Sequence, residues 1–90
     1  MKEITLSQDE KTVIAEFIFS YQTDVLIKSD AIALVRLLYK CNILTAPQRV
    51  EYIGIINRQQ RGISEILLNL VNQHFAKPQL DAIMAEYYGG

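Results

Sequence analysis

Residues 31–48 read AIALVRLLYKCNILTAPQ, and the parsing of this stretch decides the fold. Ala31, Leu34, Leu38 and Cys41 recur at helical spacing, while Arg36 and Lys40 fall on other faces. Ser29-Asp30 just upstream offers an N-cap. Lys40 suits the negative end of the helix dipole, and Asn42 can take the left-handed conformation that ends a helix. Ile43-Leu44 then forms a greasy connection expected to plug into the core. Thr45-Ala46-Pro47-Gln48 starts the next helix: Thr45 caps, Gln48 completes a capping box, and Pro47 is tolerated in a first turn. A helix, a stop and a new start in so few residues predict short helices joined by tight turns.

Working outward, Val50, Ile53 and Ile56 continue helix 3 at spacing three. A strand is the competing reading, because the run is rich in β-branched residues and Gly54 weakens a helix by about 1 kcal/mol relative to Ala; capping and spacing together favour helix. After a polar break from Asn57 to Gly62, the stripe Ile63, Ile66, Leu67, Leu70 and Val71 predicts helix 4, to about His74. Pro78 near a first helical position opens helix 5, with Leu80, Ile83, Met84 and Tyr87 as its stripe and Gly89-Gly90 at its end. Upstream, Ser7-Gln8-Asp9-Glu10 is a capping box, and Val13, Ile14, Phe17, Ile18 and Tyr21 give helix 1, from about Gln8 to Ser20. Tyr21 to Ser29 reads as a connection in which Val25-Leu26-Ile27 is a turn of helix, a strand or a packed link. The expected fold class is all-α, a compact bundle of five or six short antiparallel helices.

Composition agrees. A chain of 90 residues fills one core, so residues 1–90 are expected to be a single helical interaction domain, alone or as a module of a larger protein. Leu, Ile, Val and Phe supply 30 residues, far above a disordered chain. Asp9, Glu10 and Lys11 follow a start without an apolar core, which is no signal peptide, and Arg36 interrupts the greasiest run. With one cysteine, Cys41, no intrachain disulfide is possible, and a cytoplasmic address without membrane contact is expected.

Chemistry is nearly absent. Cys41 and His74 are each single and lie on different helices; Cys41 reads as a small core hydrophobe and His74 as a partner of a helix C-terminus. No metal-ligand spacing, phosphate-cradling loop or cofactor motif is present, so neither an enzyme, a cofactor nor a small-molecule substrate is expected. Arg58-Gln59-Gln60-Arg61 reads as a solvated loop. As a recognition helix, helix 4 offers few donors to base edges or phosphates, so nucleic acid is not the expected partner.

Charge ordering says more. The formal net charge of -1 divides into -3 over residues 1–24, +4 over residues 25–61 and -2 over residues 62–90. If helices 1 and 4 lie on one side and 2 and 3 on the other, the molecule is two-faced and can pair head to tail. Of five tyrosines, Tyr39 and Tyr52 lie off the main stripes and are the better interface candidates.

The stretch from Ala31 to Tyr87 resembles a death-fold domain, specifically the caspase recruitment domain. Leu34 to Thr45 looks like that family's second helix and its entry to helix 3; Glu51 and Ile53 fall on its short helix 3; Arg58 through Val71 looks like its polar lead-in and double-Leu helix 4. The family's sixth helix has no counterpart before Gly90. The resemblance implies homotypic assembly and effector recruitment in cell-death or innate-immune defence signalling, with no catalytic residues. It assigns Arg36, Lys40 and Arg49 to a basic face and Asp9, Glu16 and Glu65 to an acidic one; Arg58 and Arg61, also basic, are expected to join the basic face. The expected partner is a protein: a second copy or a similar helical domain. The alternative is a small helical regulator, an immunity protein or DNA-linked repressor, binding one partner stoichiometrically.

Overall fold

In the computed structural model, which describes residues 4–59 and 62–89, Ser7 opens the first helix as a closed capping box. Its hydroxyl accepts from the Glu10 amide at 3.2 Å, and the Glu10 carboxylate accepts from the Ser7 amide at 2.8 Å. From there α1 runs Gln8–Gln22, followed by α2 (Lys28–Lys40), α3 (Ala46–Asn57), α4 (Ile63–His74) and α5 (Lys77–Gly89). The described residues thus form an all-α bundle of five helices and contain no strand.

Two ends are written in backbone chemistry. At the close of α1 the Val25 amide donates to the Ser20 carbonyl (3.0 Å) and the Asp24 amide to the Tyr21 carbonyl (3.1 Å). At the close of α2 the Ile43 amide donates to the Leu38 carbonyl (2.9 Å) and the Asn42 amide to the Tyr39 carbonyl (3.0 Å). These are Schellman turns, and each needs a left-handed residue: Asp24 at φ 58° and Asn42, as expected, at φ 62°. Thr45 and Gln48 close the second capping box, with bonds of 2.9 and 3.3 Å. Gly62 caps α4 at φ 86°, a conformation that any side chain would strain.

Several expectations are corrected. Helix α1 continues two residues past Ser20, and α2 begins at Lys28, so the connection shrinks to residues 23–27. Ser29-Asp30 is not the cap: Ile27 holds that position with no side-chain bond, and Asp30 is drawn off to accept from the Ser20 hydroxyl at 3.2 Å. Val50 was expected in the stripe of helix 3 but is 66% exposed, because only Ile56 of that helix is fully buried. Tyr21 and Tyr87, expected on the stripes of helices 1 and 5, end exposed.

Helix α2 is the centre of the bundle, packing on α1, α3 and α4; α3 also meets α4, and α5 packs on α1. The expected grouping of helices 1 and 4 against 2 and 3 is not a clean division: α2 packs on α1 as well as on α3, while α4 packs on α2 and α3 and lines a depression with α1 and α5. The antiparallel course of α1 and α2 is tied at both ends, by Glu10–Lys40 and by Ser20–Asp30. Between them Ile14, Leu34, Val35 and Leu38 join Ile56, Ile63, Leu67, Val71 and Phe75 in a core with almost no solvent access. Each such side chain contributes about 1.5–3 kcal/mol by burial. The radius of gyration, 12.4 Å, matches the roughly 12 Å of a compact chain this long.

Candidate protein-interaction surface

Arg36 and Tyr39 are three residues apart on α2 and so project side by side from its exposed face. Across the turn, α3 begins with its capping box and presents Arg49, whose guanidinium stands 4.4 Å from the centroid of the Tyr39 ring. Such a cation over a ring face is held by the ring quadrupole, worth about 0.5–1 kcal/mol at an exposed site. Arg36, Tyr39 and Arg49 line one shallow depression together with Val50 and Ile53. Two guanidiniums, a ring and an exposed valine thus share one surface, and the α2–α3 packing fixes its geometry.

Of the other expected members of the basic face, Lys40 and Arg58 turn elsewhere. Lys40 pairs inside the molecule, its Nζ 2.8 Å from Glu10 Oε2. The hydrogen bond from Lys40, helped by the Ser7 amide, holds the Glu10 carboxyl below its ordinary range, and the same contact raises the Lys40 ammonium. Arg58 caps the end of α3 and folds its guanidinium back over Gly54; a Cβ there would meet it at 3.3 Å. Arg61 lies outside the described residues.

The expected acidic residues do not form one patch. Asp9 and Glu16 lie on the exposed side of α1, Asp9 in its first turn. Glu65 is in the first turn of α4 and lines a depression with Tyr21 and Asp24, at the far end of α1. Asp9 and Tyr21 are separated by about 18 Å of helix axis at 1.5 Å per residue. Tyr52 is half-buried against the core, so of the two favoured tyrosines only Tyr39 is exposed. Cys41 is half-buried, and burial pushes its thiol up. Among the described residues no three His, Cys, Asp or Glu side chains gather as metal ligands, and no helix is long and apolar enough to cross a membrane.

Sequence reasoning missed an aromatic cluster. Phe19 on α1 meets Tyr87 and Tyr88 on α5, with ring centroids 6.1 Å apart in each case, and the two tyrosines are 5.7 Å apart. All three are exposed: 41% for Phe19, 39% for Tyr87 and 58% for Tyr88. The Tyr88 hydroxyl donates to Gln22 Oε1 at 2.7 Å, fixing the outermost ring. Only the i, i+1 tyrosine pair was visible in one stretch of chain; its partner lies 68 positions earlier.

No protein-family model matches the chain, and neither a curated protein nor a solved structure matches it.

Proposed function

We propose that this chain is a protein–protein interaction domain of the adaptor type, assembling through complementary helical faces, in the manner implied by its resemblance to caspase recruitment domains in cell-death or immune signalling. The observation that supports this reading is the Arg36–Tyr39–Arg49 surface with exposed Val50. Arginine and tyrosine are enriched at the energetic centres of interfaces, and a stacked guanidinium has lost part of its freedom before a partner arrives. Lys40 is a lesser member of that face, because Glu10 already engages its charge. The single free thiol, Cys41, supports a reducing, cytoplasmic setting.

Light scattering after size exclusion, over a range of protein concentrations, tests the proposal. The wild-type chain is expected to grow in mass with concentration, and growth should weaken at high salt as exposed charges are screened. Arg36→Glu with Arg49→Glu should remain monomeric with an unchanged helical spectrum. A wild-type chain that stays monomeric at every concentration, at low salt as well, refutes self-assembly and leaves the stoichiometric regulator.

A further inference from the structure

The basic face needs a counterpart, and the expected acidic residues are too dispersed to supply one. The flank built by α1 and α5 offers a different surface. Phe19, Tyr87 and Tyr88 form a contiguous exposed apolar patch, and such patches on small proteins mark interaction sites. Ring-to-ring packing and the Tyr88–Gln22 hydrogen bond join the three rings into one surface across α1 and α5. Glu16, exposed and three residues before Phe19, stands beside it on α1. Lys11 and Glu86 share the neighbouring groove between α1 and α5 and carry opposite charges, which leaves Glu16 to set the sign of the patch.

Resting on the self-assembly reading, we infer that the Phe19–Tyr87–Tyr88 patch with Glu16 receives the Arg36–Arg49–Val50 face of a second copy of this chain. Charge and chemistry both select that occupant. Guanidinium groups bind ring faces, as Arg49 already does on Tyr39 within one molecule. Glu16 meets the arginines as a carboxylate, and Val50, the most exposed of the large apolar side chains described, has the rings to cover it. The two surfaces use different helices, α2–α3 and α1–α5, so each copy binds one neighbour through each face. The contact is heterologous and propagates.

Two complementary variants test this. The donor variant carries Arg36→Ala and Arg49→Ala; the acceptor variant carries Glu16→Lys and Tyr88→Ser. Each alone should associate at least about 10-fold more weakly than wild type, since each loses a charge-paired anchor. Mixed one to one, they should form a heterodimer that grows no further, because one intact donor meets one intact acceptor. Should Tyr88→Ser disturb α5, as seen by circular dichroism, Glu16→Lys alone serves as acceptor variant, and its growth should still fall. Undiminished growth of the acceptor variant, or a mixture that stays monomeric, overturns the assignment of this patch while leaving self-assembly standing. A wild-type chain that never grows removes both.

Discussion

Glu10 makes two unrelated contacts at once: one carboxylate oxygen accepts from the Ser7 amide at 2.8 Å and the other lies 2.8 Å from Lys40 Nζ. The first closes the start of α1, and the second joins that start to the end of α2. A single side chain therefore caps a helix and sets the pairing of two.

The pH dependence follows from the direction of each shift. Glu10 sits below its ordinary 4.5 in the fold, so its stabilisation is present above that value and is lost as pH falls through the lower folded pKa. Lys40 sits above its ordinary 10.5, so its share is present below 10.5 and is lost as pH rises through the higher folded pKa. Urea melts of wild type and Glu10→Gln should differ at neutral pH and converge as pH falls through the lowered pKa of Glu10. A difference that persists undiminished in acid would show that the carboxylate charge is not what stabilises the pair.

Asp24 occupies a place that suits it poorly. It is left-handed at φ 58° and stands at the negative end of α1, where no basic residue fills the last turn. Asp24→Asn keeps the tolerance for that conformation and removes the unfavourable charge, for a gain of about 0.5 kcal/mol. Thermal melting should rise by roughly 2–4 °C in a domain of this size.

Leu38 has no solvent access and joins the last turn of α2 to the core. Leu38→Ala should cost about 2–5 kcal/mol, a large part of the roughly 5–13 kcal/mol available to a chain this long. Chemical denaturation should register the loss as a lower midpoint at an unchanged slope.

Tyr39→Leu removes the ring beneath Arg49 and keeps an apolar side chain of similar reach. Stability should fall by at most about 0.5–1 kcal/mol, the worth of one exposed cation–π contact, while self-association should weaken because Arg49 loses its fixed position. An unchanged association constant in light scattering would mean that the stacked geometry contributes nothing to the face.

What could be read from the chain was what neighbours in sequence decide. Ser7 with Glu10, Thr45 with Gln48 and the left-handed Asn42 are local contests between side chain and backbone, and each came out as the residue types dictate. Ser29 failed as a cap because Asp30 has a better use across the bundle, at Ser20, ten residues back. Val50 failed as a core residue because the α2–α3 packing turns that side of α3 outward. Arg36, Arg49 and Tyr39 were each named from the sequence, yet their grouping depends on the angle between two helices. Lys40 was named with them, and its withdrawal to Glu10 depends on α1, thirty residues away. The aromatic cluster joins the start and end of the chain, and no spacing rule reaches that far.

The attachment of α5 has a further consequence. Its main packing partner is α1 alone, whereas α2 is gripped from three sides. Two of the three rings in the aromatic patch ride on that lightly held helix, so the patch can come apart while the rest of the bundle stands. Amides of α5 should then exchange with deuterium sooner than those of α2, and a second copy bound across Phe19, Tyr87 and Tyr88 should slow them. Assembly would act as a clasp, tightening the protein at its loosest seam.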